Sequence, residues 1–114
     1  MGSALNIKGD FTPQEASEII REALAYNGRI AKYKIKKYSS ICENFEIKYG
    51  MNSDLFMEKF EVGELGDDND FFDWFAAKRG LDIWNKRQKI ISAIENMNLP
   101  KTKNQNFAGK LRRN

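Results

Sequence analysis

The chain has 114 residues, 41% hydrophobic and 31% charged, with a net charge of +3. These values suit one soluble globular domain, and no apolar run approaches the roughly 18 residues of a membrane span. A single cysteine, Cys42, excludes an internal disulfide and fits a reducing, cytoplasmic setting; the lack of histidine removes the triad base, the common zinc ligand and the usual neutral-pH proton carrier.

Residues 1–10 show no periodicity and read as a loose leader. Their start, Met1-Gly2-Ser3-Ala4, has neither a basic nor a long apolar stretch, which predicts no secretory signal. Thr12-Pro13-Gln14-Glu15 then has the form of a capping box, with proline at the first helical position. Ala16, Ile19, Ile20, Ala23 and Leu24 keep helical spacing. Asn27-Gly28 reads as a helix stop, so the first helix is expected over about 13–26.

The stretch from Arg29 to Tyr49 nearly alternates at its start, as a strand does. The longer window decides for helix. Ala31, Ile35, Tyr38, Cys42, Phe45 and Tyr49 are spaced 4, 3, 4, 3, 4, a heptad seam that no strand has reason to keep. A second helix is expected over roughly 29–49, ended by Gly50. Asn52 or Ser53 caps a short third helix with Leu55, Phe56, Met57 and Phe60 on a wide apolar face, and Gly63 ends it. Asp67, Asp68 or Asn69 caps a fourth, from about Asp70 to Met97, whose apolar positions include Phe71, Trp74, Phe75, Ala77, Leu81, Trp84, Ile91 and Ile94. Gly80 lies inside it, marking a kink or a close helix crossing. Residues 101–114 hold five cations and no acid and read as a flexible basic tail. The expected fold is therefore all-α: a small bundle of about four helices forming a single domain over 11–100, with a flexible basic C-terminal tail.

Charge is segregated. Arg29, Lys32, Lys34, Lys36 and Lys37 place five cations in nine residues, whereas Glu58 to Asp73 carries seven acids against Lys59 alone. Either the two stretches complement each other inside the fold, or one of them faces a partner. A nucleic-acid-binding module would use Arg29, Lys32, Lys36 and Lys37 with Lys110, Arg112 and Arg113 of the tail. A homo-oligomer paired along the heptad seam is a further reading, although an intramolecular bundle suits that short, mixed seam better.

Little supports catalysis, and the chain reads as a binding protein rather than an enzyme. Cys42 lies on the apolar seam, as a structural thiol does. Gly63-Glu64-Leu65-Gly66 lacks the lysine and serine of a phosphate-binding loop. Glu64, Asp67, Asp68, Asp70 and Asp73 are hard oxygen ligands, but their spacing does not match a calcium loop. No metal or cofactor is expected.

The most distinctive segment runs from Tyr49 to Trp74. It reads Tyr-Gly-Met-Asn-Ser, then Phe56 and Phe60, then Gly63-Glu64-Leu65-Gly66-Asp67-Asp68, then Asp70-Phe71-Phe72-Asp73-Trp74. This pattern resembles a group of short prokaryotic proteins that are similar to antitoxin components of toxin–antitoxin gene pairs; Asn52-Ser53 stands where that group has Met-Ser. The resemblance implies a protein that binds and neutralises a toxin partner. The binding region would comprise Glu64, Asp67, Asp68, Phe71, Phe72, Trp74 and Phe75. Phe71 and Phe72 are adjacent and cannot share one helix face. With Trp74 and Phe75 they make the start of this helix apolar nearly all round, as in a helix covered on several sides.

Overall fold

The computed structural model describes residues 9–97, and these are helical without any strand. Three helices account for most of them: α1 (Pro13–Tyr49), α2 (Ser53–Glu61) and α3 (Asn69–Glu95). None is long and apolar enough to cross a membrane. The proposed basic tail, with Lys110, Arg112 and Arg113, lies outside the described residues, as does most of the leader.

The count of about four helices is corrected to three, because the expected stop at Asn27-Gly28 is not one. α1 runs through both residues. A terminating glycine takes the left-handed conformation, and Gly28 does not: that region is occupied by Gly50, φ +68°, and Gly63, φ +77°. Asn27 does not cap an end either; its side-chain Nδ2 donates to the Ala23 carbonyl at 2.8 Å, one turn back in the same helix. A glycine inside a helix costs about 1 kcal/mol against alanine. That penalty is too small to break a helix in which every further residue adds a backbone bond.

The described residues fall into two compact units, one of residues 9–27 together with 91–97, the other Gly28–Ile90. In the first, the capping box is closed on both sides. Glu15 N donates to Thr12 Oγ1 at 3.0 Å, and Thr12 N to Glu15 Oε1 at 2.8 Å. The inward face of this part of α1 is Ala16, Ser17, Ile20 and Leu24, while Ile19 stands out at 65% exposure. Ser17 is wholly buried, and its hydroxyl donates to the Gln14 carbonyl at 3.2 Å and accepts from Arg21 Nη1 at 3.3 Å. A buried hydroxyl held this way carries no unmet polar cost.

The second unit holds the aromatic core. Phe56 and Trp74 are fully buried, and their rings stack with centroids 3.9 Å apart and planes 5° from parallel. Phe45 and Tyr49 lie on Trp74 at 5.6 and 5.8 Å. The heptad seam of α1 is therefore consumed inside the chain: Ala31 and Cys42 are buried, and Ile35, Tyr38, Phe45 and Tyr49 are half-buried. One buried polar chain ties the three helices together. Trp74 Nε1 donates to Ser53 Oγ at 2.8 Å, and Ser53 N donates to Glu46 Oε2 at 2.8 Å.

The ends of α2 show why it stops where it does. Asn52 Oδ1 accepts from Leu55 N at 2.8 Å, the N-cap bond. At the other end Glu64 N donates to the Lys59 carbonyl and Gly63 N to the Phe60 carbonyl. This paired pattern needs a left-handed residue between, which Gly63 supplies. The resulting turn returns the chain so that α3 packs against α2 through phenylalanines.

Candidate docking face on α3

The turn delivers the chain to Asp68, whose Oδ1 accepts from Asp70 N at 2.9 Å and so caps α3. Asp70 fastens the same end to α1. Its carboxylate accepts from Lys48 Nζ and from Tyr49 Oη, each at 2.6 Å. These bonds, the lysine first and the tyrosine second, hold the Asp70 carboxyl below the usual carboxylate range. The same bond to Asp70 pushes both Lys48 and Tyr49 up.

A pH dependence follows with a definite sign. A carboxyl depressed in the folded state contributes stability above its unfolded pKa of about 3.9. That stability is lost as pH falls through the lower folded value. Lys48 and Tyr49, both raised, contribute stability that is lost only as pH rises through their folded values. The urea midpoint of the parent chain should therefore drop between about pH 5 and pH 3, and Asp70→Asn should flatten that slope. Equal slopes in the two proteins would refute the assignment.

The aromatic residues of the α3 start have separate fates. Phe71 is half-buried against Tyr49 and Phe56, with centroids at 5.2 and 5.9 Å. Trp74 lies wholly inside the core, out of reach of a partner docked on the folded chain. Its large apolar ring fills the junction of all three helices. Phe75 is half-buried against Phe60 at 5.0 Å, with the Arg79 guanidinium over its outer side at 5.8 Å. Phe72 points outward and is 51% exposed, with its ring perpendicular to that of Phe60 at 5.6 Å. Of the seven candidate partner-binding residues, Phe72 and the exposed acids Glu64, Asp67 and Asp68 present the most surface.

The acids do not form a cation cage; among the described residues no group of three or more carboxylates or thiols is placed to hold a metal ion. Glu64 pairs with Lys59 at 3.2 Å, Asp68 caps α3, Asp70 holds Lys48 and Tyr49, and Asp73 lines a cleft with Tyr38, Ile41 and Phe45. The Cys42 thiol is pushed up by burial, with its Ser53 hydrogen bond opposing, so it stays neutral. Nearby, Lys78 is deeply placed. Burial works against its charge, but bonds to Asp82 at 2.9 Å and Asp54 at 3.1 Å outweigh that and hold the ammonium above its usual range.

The basic stretch of α1 is a separate surface. Arg29, Lys32 and Lys36 share one exposed side, and Lys37 lies at its edge with its ammonium 5.8 Å from the Tyr38 ring. Among the described residues, no salt bridge joins Lys32, Lys34, Lys36 or Lys37 to the acidic stretch. The acidic and basic segments therefore do not neutralise each other through ion pairs of these lysines.

Sequence reasoning missed Ile83 and Ile90 as surface residues. They are 50% and 48% exposed on the same side of α3 as Phe72. Their seven-residue spacing was the available signal, masked by the stronger buried stripe of Trp74, Ala77 and Leu81. No family model, curated protein or solved structure matches the chain.

Proposed function

We propose that the chain is a helical protein-docking module of antitoxin type, which binds and neutralises a partner protein through the outward side of α3. The observation that carries this reading is Phe72: a large ring left half exposed at the start of α3, set edge-to-face against Phe60, which in turn packs on Phe75. Aromatic residues, phenylalanine among them, are enriched at the cores of protein interfaces. The sequence pattern around Gly63 and Asp68 supports the same reading through its resemblance to antitoxins. The lack of histidine and the buried, neutral Cys42 favour binding over catalysis.

The test is Phe72→Asp. Tagged parent and variant are used as bait in lysate of the native host, washed at low and high salt, and bound proteins are identified by mass spectrometry. A small protein held at one-to-one stoichiometry by the parent through high salt, and lost by the variant, is the expected result. Far-UV circular dichroism should be nearly unchanged, because the side chain is already half in water. Retention of the partner by Phe72→Asp would overturn the reading.

One observation favours a second reading, a phosphate-binding surface on α1. Lys32, Lys36 and Lys37 are exposed and make no salt bridge among the described residues. It predicts nucleic acid in the low-salt eluate that is released steeply as salt rises. A flat salt response would exclude it.

A further inference from the structure

α3 carries two stripes. The inward one, Trp74, Ala77 and Leu81, packs in the core cluster. The outward one begins at Phe72 and continues through Ala76, Ile83 and Ile90, all exposed. Arg79 and Lys86, also exposed, fall between them. Together the six positions step along the helix by 4, 3, 4, 3, 4. That alternation keeps them on one side and is the spacing with which one helix receives another. From Phe72 to Ile90 the row extends about 27 Å at ~1.5 Å per residue. A cleft of about 380 Å³, lined in part by Tyr38, Phe45 and Ala76, opens beside it.

We infer that this row docks an amphipathic α-helix of the partner protein, one that carries carboxylates opposite Arg79 and Lys86. The inference rests on the reading of α3 as the docking side and gives the partner's contact element its chemistry. Spacing selects a helix, since an extended strand repeats every two residues and would not follow a four–three row. Charge selects its sign. Arg79 and Lys86 sit within the row, and neither makes a salt bridge among the described residues. Covering a cation without giving it an anion is strongly unfavourable. A second copy of this row offers none at its six positions, and of the acids flanking the row Asp82 is already paired with Lys78, which leaves Asp73 alone against two cations. A partner helix with apolar seam residues and glutamates at the facing positions satisfies both requirements.

Two synthetic helical peptides of about three heptads test this, both with leucine at the seam positions. One carries glutamate beside the seam and the other lysine. Fluorescence anisotropy with the full chain should show the glutamate peptide binding at least about tenfold more tightly. Arg79→Glu combined with Lys86→Glu should reverse the preference. Ile83→Asp combined with Ile90→Asp should remove binding of the glutamate peptide without changing the circular dichroism, since both side chains are already half exposed. Equal affinity for the two peptides, no binding of the glutamate peptide, or binding that survives the Ile83/Ile90 change would overturn the inference. So would a parent chain that sediments as a dimer and becomes monomeric with Ile83→Asp, which places a second copy on the row instead. The broader reading fails separately. If Phe72→Asp loses the natural partner while the Ile83/Ile90 variant keeps it, α3 remains the docking side but the helical partner element is wrong.

Discussion

Replacing Trp74 by alanine should destabilise the fold by about 3–5 kcal/mol, the usual range for emptying a large aromatic site. The indole is fully buried and stacks on Phe56 at 3.9 Å, with Phe45 and Tyr49 also in contact. No small rearrangement refills such a volume where three helices meet. Domains of this size hold only about 5–15 kcal/mol in total, so the variant should unfold at far lower urea or lose its cooperative transition. Trp74→Phe separates the two contributions: it keeps most of the apolar ring but removes the Nε1–H that donates to Ser53. Its expected loss is smaller, about 1–3 kcal/mol. The check is urea unfolding followed by far-UV circular dichroism. Unchanged midpoints would show that the stack does not hold the core.

Two glycine-to-alanine changes should move stability in opposite directions. A methyl at Gly80 would lie 2.8–3.0 Å from three carbons of the Tyr38 ring, closer than a real contact allows. Tyr38 packs against the core cluster on one side and lines the cleft beside Ala76 on the other, so its ring must shift toward that cleft. Overpacking of this kind costs about 1–3 kcal/mol against a helix gain of about 1 kcal/mol, so a net loss of up to about 2 kcal/mol is expected from Gly80→Ala. At Gly28 a methyl meets nothing within 4 Å, and the residue is inside α1. There the helix gain stands alone, and Gly28→Ala should stabilise by about 0.5–1 kcal/mol. Tyr38→Leu should relieve much of the Gly80→Ala penalty, a coupling that a double-mutant cycle in urea would measure. Shifts of the same sign at both glycines would refute the close crossing at Gly80.

The two glycines also show how far sequence reading reaches. Both lie in helices and leave a similar local trace. An Asn-Gly pair such as Asn27-Gly28 often ends a helix, yet no local rule says whether the backbone there turns left-handed. That is decided by whether the residues beyond continue the same helix. From its sequence position Gly80 marks either a kink or a crossing, and only the position of Tyr38 chooses the crossing. The candidate docking residues divide in the same way. Phe71, Phe72, Trp74 and Phe75 all stood out as more aromatic surface than one helix face can bury. Adjacent residues on a helix point about 100° apart, so some had to face outward, but the sequence did not say which.

Periodicity and capping chemistry determined by themselves the all-helical character, the starts of α1, α2 and α3, and the ends of α1 and α2. Each of these depends on bonds made within a few residues, such as Thr12 with Glu15, Asn52 with Leu55, and Gly63 in its turn. Tertiary structure alone decided that Trp74 is the centre of the core, that Phe72 stands outside it, and that Ile83 and Ile90 extend its row. The reason is physical. Local hydrogen bonding is encoded by near neighbours, whereas burial depends on which other helices arrive at each face. On an α3 with apolar residues on two sides, only the packing of α1 and α2 determines which side remains in water.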